Sequence, residues 1–176
     1  INGLSEVSDN IFLMNSDLKT RGDFTGQFIA ETLEAENIAV LAPADKFGKS
    51  IVDAFINKLK YYDKTPHIVE WYSGIPMNLD RQFKSIRAIA WELSDTTNSL
   101  DSLNTIIDSI FAEQILDEEV MTADDSSQVI LNSIDAIYMP INAGHLDYIG
   151  AQFPAYNLDV AVVGNDNWAD LAVLRK

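Results

Sequence analysis

Two histidines, His67 and His145, no cysteine and an excess of carboxylates bound the chemistry open to this chain. Neither histidine has a second one at the spacing that sets two imidazoles on one helical face around zinc. Without cysteine there are no disulfides, thiolate metal sites or thiol nucleophiles, although the compartment stays open. No Gly-x-Ser-x-Gly turn, phosphate-binding loop or Gly-x-Gly-x-x-Gly run occurs. Carboxylates are adjacent at Glu118-Glu119 and Asp124-Asp125, which in so acidic a chain reads as solvated charge. No metal, cofactor or catalytic constellation is expected, and the chain reads as a non-enzyme.

What remains are side chains suited to holding a small molecule, and they fall at the ends of apolar runs. Asp45 follows Ile38 to Ala42 and Pro43; Tyr72 and Ser73 close the run from Ile68; Asn142 follows the run ending at Pro140; Trp168 follows the run ending at Val163. Each has a plainer reading. Asp45 can meet a ligand amine, or it can cap the helix that follows through first-turn N–H groups. Trp71 and Trp168 are large amphipathic surfaces near strand ends, of a kind that more often packs than serves as a ligand platform.

These runs must be strands for their ends to converge. The stretch from Asn37 to Leu59 organises the rest: a short branched run reads as a buried strand, and Asp45 to Gly48 as a turn. Ile51, Val52, Phe55, Ile56 and Leu59 then form one stripe of a 3.6-residue helix. Further strands are read at Ile11–Met14, Ile68–Tyr72, Ser133–Pro140 and Leu158–Val163. Helices are read from the Ser16-Asp17 cap to about Ala35 (Phe24, Phe28, Ile29 and Leu33 inward), over Asp80–Leu93 and over His145–Phe153. Five strands alternating with helices predict a three-layer, doubly wound parallel sheet. Ligands of such sheets bind beyond the carboxyl ends of the strands, so the 43–48 turn is the first place to look.

Residues 94–132 interrupt this rhythm. Leu103, Ile106, Ile107, Ile110 and Phe111 mark an amphipathic helix, and the acidic LDEEVMTADDSSQ follows. The expectation is a helical and acidic insertion on a single α/β domain spanning 1–176. It has no EF-hand spacing of oxygen ligands.

The length of 176 residues suits one domain with a real core. The net charge of −15 argues against nucleic acid and anionic membrane surfaces, whose recognition needs clustered Lys and Arg. No apolar run reaches membrane-spanning length. With neither an initiating Met nor a signal peptide, the chain reads as an excised piece. A receiver domain shares the winding but needs a phosphorylatable Asp where Tyr72-Ser73-Gly74 stands.

Four segments together carry a family resemblance: IFLMNSDLKTRGDFTGQFIAETL, IAVLAPADKFGKSIVDAFINKL, VEWYSGIPMNLDRQF and DAIYMPINAGHLDYIGAQFPAYNLDVAVVGNDNW. In this order they resemble the second lobe of type I periplasmic binding proteins, including branched-chain amino-acid binders and penicillin-binding-protein activators. The matching features are Asp45-Lys46-Phe47-Gly48, Leu79-Asp80-Arg81-Gln82-Phe83, Asp135-Ala136-Ile137 and Tyr156-Asn157-Leu158. The likeness covers roughly residues 5–170.

The resemblance implies a Rossmann-like lobe outside the cytoplasm, periplasmic or lipid-anchored. Its expected partners are a small-molecule ligand, a second lobe missing here, and a membrane permease of an ABC transporter or, in activator-like members, an envelope enzyme. Phe47 stands where many amino-acid binders carry a ligand-contacting Tyr, so it offers an apolar wall, or else it covers the first helical turn. Asp80 falls on the family's helix-start Asp. Ligand-binding residues are therefore expected at Asp45, Phe47, Tyr72, Ser73, Asn142 and Trp168, the last on the edge facing the missing lobe.

Overall fold

A computed structural model of the chain describes residues 16–109 and 128–169, with backbone alone over 95–109 and at 167 and 169. The strand expected at Ile11–Met14 and the acidic stretch after Ser109 lie outside the described residues. Four strands are described: β1 (Ile38–Pro43), β2 (Ile68–Tyr72), β3 (Ala136–Tyr138) and β4 (Ala161–Val163). All pair in parallel, in the order β2-β1-β3-β4. The chain winds outward from β1 to β2, then crosses back to β3 on the other side. The switch point therefore falls between β1 and β3.

β1 is buried along its whole length, which explains why it reads as an unbroken apolar run and not as an alternation. Its side chains still alternate between two cores. Ala39 and Leu41 face one layer with Ile137, Met139, Phe83 and Ile86. Ile38, Val40 and Ala42 face the other with Tyr138, Ile51, Phe55 and Leu59. The register supports this division, with Ile38 beside Ala136 and Ala39 beside Ile137. The first layer carries α3 (Asp80–Ser109) and α4 (Leu146–Gln152); the second carries α1 (Leu18–Gln27) and α2 (Lys46–Tyr61). Asp135 joins β3 to β1 at their amino ends, because its Oδ2 accepts from the backbone N–H of Glu36 and of Asn37, each at 2.8 Å.

Asp17 caps α1 as the sequence predicts, its Oδ1 accepting from Thr20 N at 2.7 Å. The inward face of this helix does not follow the expected apolar stripe. Phe24 is 72% exposed, Phe28 42% and Leu33 37%; of the four expected inward residues only Ile29 is buried. Gly22 and Gly26 take the inner positions instead, and a Cβ on Gly22 would lie 2.4 Å from Ile51 O. Two glycines one turn apart let α1 approach the α2 backbone directly, which turns Phe24 and Phe28 outward. The helix ends in a π-helical turn, Phe28–Thr32, that brings Ala35 N onto Ile29 O at 3.1 Å.

Further boundaries differ from those read in the sequence. The helix from Asp80 does not stop at Leu93 but continues as one backbone helix of 30 residues to Ser109. The last two strands are short. Leu158 lies outside β4 and makes an isolated parallel bridge to Leu131. Arg87 anchors this region through three carbonyls: Nη1 donates to Tyr156 O and Asn157 O at 2.6 and 3.2 Å, and Nη2 to Val129 O at 2.7 Å.

Candidate functional site

The carboxyl ends of β1 and β2 and the turn after β3 enclose an open cleft of about 340 Å³. Pro43, Ala44 and Asp45 line it from β1; Tyr72, Ser73, Gly74 and Ile75 from β2; His145 from the 3₁₀ turn Ala143–His145. The β1 and β2 exits are tied together, since Ala44 N donates to Tyr72 O at 2.7 Å. Gly74 reverses the chain with φ +70°, a left-handed conformation that costs a side-chain-bearing residue free energy. The loop beyond is clamped by Gln152. Its Oε1 accepts from Leu79 N at 2.8 Å, and its Nε2 donates to Pro76 O at 2.9 Å.

Within the cleft, Asp45 is the cap of α2: Oδ1 accepts from Gly48 N at 2.7 Å. Glycine is required at 48 because a Cβ there would fall 2.0 Å from Pro43 O. Tyr72 is 4% exposed, and its hydroxyl meets His145 Nδ1 at 3.1 Å. Burial first, and then the nearby Asp45 charge, push the Tyr72 phenol up to about 12, so it stays a neutral hydroxyl through the physiological range. The lining thus combines a carboxylate, a phenol, a serine hydroxyl and an imidazole with the apolar surfaces of Pro43, Ala44 and Ile75. It includes no Lys or Arg. Such a lining offers a small polar molecule both hydrogen-bond partners and apolar contact. Among the described residues no group of three or more potential ligand side chains is placed to hold a metal ion.

Of the residues singled out from sequence, Asp45, Tyr72 and Ser73 are brought together here. Phe47, half-buried in the first turn of α2, packs against the core on the α1–α2 side and is not among the lining residues. Asn142 is exposed and starts the 3₁₀ turn, its carbonyl accepting from His145 N at 2.9 Å. Trp168 stacks on Gly164 and lines a separate apolar hollow of about 150 Å³ with Met139, Leu146, Ile149, Phe153 and Val162. Trp71 is half-buried against the α2 side of the sheet, and Asp80 pairs with Lys84 at 2.9 Å and accepts from Tyr156 Oη at 3.1 Å. Sequence reasoning missed His145. It weighed the histidine only as a metal ligand, although its place just after the third described strand was the same signal that selected Asn142.

Four parallel strands between two helical layers, with a cleft at the switch point, give the chain the fold of one lobe of a type I periplasmic binding protein. Solved structures that share this fold include two binding proteins. One is the branched-chain amino acid transporter substrate-binding protein LivJ of Streptococcus pneumoniae, in complex with isoleucine; it is 14% identical, with a TM-score of 0.56 over 93% of this chain and 34% of that one. The other is the leucine-binding protein LivK of Thermotoga maritima, 14% identical, with a TM-score of 0.52 over 89% of this chain and 33% of that one. The chain spans about a third of the length of each. No protein-family model and no curated protein sequence matches it.

Proposed function

We propose that the chain is one lobe of an extracytoplasmic solute-binding protein serving an ABC-type uptake system. It holds a small molecule, such as an amino acid, between itself and a second lobe, and the closed complex is presented to a membrane permease. The observation that carries this reading is the cleft itself, with hydrogen-bonding groups from three strand exits converging at the switch point. In this reading a second lobe closes over the open cleft. Capture follows from differential contact: a solute touching both lobes favours the closed arrangement by the free energy of contacts that the open one lacks. Asp45, Tyr72, Ser73 and His145 are the polar contacts of this lobe. Among the described residues no helix is long and apolar enough to cross a membrane, and a periplasmic or lipid-anchored location accords with the proposal.

The test is a thermal-shift screen of the two-lobe protein against amino acids, short peptides, sugars and cell-wall fragments. A solute that binds only the folded state stabilises it by about 2.7 kcal/mol at a hundredfold excess over its dissociation constant. A shift confined to one chemical class names the substrate. A cooperative melt that no compound moves overturns solute capture.

One observation favours a second reading, a non-catalytic contact with a cell-envelope enzyme. Phe24 on α1 and Phe28, the first residue of the π-helical turn that follows, stand one turn apart, both exposed, and paired exposed aromatics suit a protein surface. Retention of an envelope enzyme by the wild type, lost in a Phe24→Ser/Phe28→Ser variant, supports that reading.

A further inference from the structure

One polar pair in the cleft is assigned neither by strand-end reasoning nor by likeness of fold. Tyr72 ends β2, His145 ends the turn after β3, and β1 lies between those strands. Their contact therefore bridges the switch point, with Oη to Nδ1 at 3.1 Å and the rings edge-on, centroids 5.9 Å apart at 63°. Among the described residues His145 Nδ1 is the one hydrogen-bond partner of the Tyr72 hydroxyl. A neutral phenol has a single proton to give, and Nδ1 is the acceptor within its reach. With that proton given to Nδ1, a neutral imidazole carries its own on Nε2. No described residue takes up that N–H, and His145 lines the cleft, so the donor is left for whatever enters. Asp45 stands in the same lining, one oxygen spent on Gly48 N and its charge felt by Tyr72, with no cation in the lining to offset it.

We propose that His145, held as the Nε2–H tautomer by Tyr72, is the specificity-determining donor of this lobe. It selects a neutral or zwitterionic solute presenting an acceptor oxygen, and the Asp45 carboxylate of the same lining rejects polyanions such as phosphate esters. Tyr72 is the positioning residue: it acts on the solute through the tautomer it imposes. The proposal rests on the solute-binding reading above.

Two measurements on the two-lobe protein test it. Imidazole ¹H–¹⁵N correlation spectra are recorded at about pH 9, above the usual histidine range, with His145 assigned by difference from His145→Phe. The expected result is a proton on Nε2 in the wild type and a mixture of tautomers in Tyr72→Phe. A proton on Nδ1, or a spectrum unmoved by Tyr72→Phe, overturns the proposal. The thermal-shift panel is then repeated with glucose 6-phosphate added, and the compound with the largest wild-type shift is titrated into each variant. His145→Phe is expected to weaken it about tenfold or more, and His145→Gln, which keeps an N–H donor, to recover most of that loss. Unchanged affinity in a cooperatively melting His145→Phe, or a wild-type shift with glucose 6-phosphate, sinks the specificity assignment while leaving solute binding intact. A wild type that binds nothing in the panel sinks the solute reading and this proposal with it.

Discussion

Replacing Gly22 by alanine tests the α1–α2 packing because two effects of opposite sign act at one atom. In a helix interior alanine is favoured over glycine by about 0.8–1 kcal/mol. Gly22 lies inside α1, so propensity alone predicts a more stable protein. The added Cβ, however, would lie 2.4 Å from Ile51 O, 2.8 Å from Ala54 Cβ and 2.9 Å from Phe55 N. Two of these atoms are α2 backbone, which no rotamer change can move aside. Overpacking of this kind costs roughly 1–3 kcal/mol, and backbone opposition places it toward the upper end. The net expectation is a loss of about 1–2 kcal/mol. Gly150, inside α4 with nothing within 4 Å of its would-be Cβ, is the control. There the same substitution should stabilise by up to about 1 kcal/mol. Urea denaturation reads both, as midpoint shifts at unchanged m-value. A Gly22→Ala variant as stable as the wild type would refute the close approach of α1 to α2, and with it the account of why Phe24 and Phe28 point outward.

Other perturbations follow from the same contacts. Asp45→Ala removes the α2 cap and should cost about 1 kcal/mol by urea midpoint, with Asp45→Asn recovering most of it. Asp135→Ala leaves the Glu36 and Asn37 amides without their carboxylate and should cost about 1–3 kcal/mol in the same assay; no change would mean water replaces the carboxylate without loss. The Tyr138 hydroxyl is buried and makes no well-formed hydrogen bond among the described residues; Thr25 lies near it, but the Thr25 hydroxyl donates to Arg21 O. Tyr138→Phe should therefore be neutral or stabilising at pH 7, whereas a clear loss would mean that the Thr25 contact is a working hydrogen bond. Burial pushes both the Tyr72 and Tyr138 phenols up to about 12, above the ordinary tyrosine value of about 10. An unfolded chain therefore releases protons that the folded one keeps. This contribution is fully present below pH 10 and is lost as the pH rises toward 12, so the wild-type urea midpoint should fall across that window and fall less steeply in Tyr138→Phe.

How much of the fold was legible depended on whether burial is announced by side-chain type. β1 and α2 could be read because a two-sided buried strand needs a branched run and an amphipathic helix needs its stripe. The inward face of α1 could not, because its closest contacts are made by Gly22 and Gly26, which carry no hydrophobic signal. Phe24 and Phe28, at helical spacing, gave a strong signal for the wrong face. The helix boundary at Leu93 failed for a related reason: Ser94 to Ser99 is polar, and a polar stretch ends the apolar pattern without ending the backbone helix.

The site was legible to the extent that topology fixes it. Given parallel strands, the residues just beyond their carboxyl ends must converge near the switch point, and Asp45, Tyr72 and Ser73 follow from their chain positions alone. The register of the turn after β3 is what sequence could not supply. Asn142 and His145 lie three residues apart within one 3₁₀ turn, where the Asn142 carbonyl accepts from His145 N. That turn leaves Asn142 exposed at its start and brings His145 to the Tyr72 hydroxyl. A strand end thus nominates a turn, and the hydrogen bonds inside the turn decide which of its side chains reaches the cleft. The same holds for Trp168: its indole covers Gly164, which sends that strand exit to the apolar hollow. Three exits supply the polar cleft, and the fourth closes the core beside it.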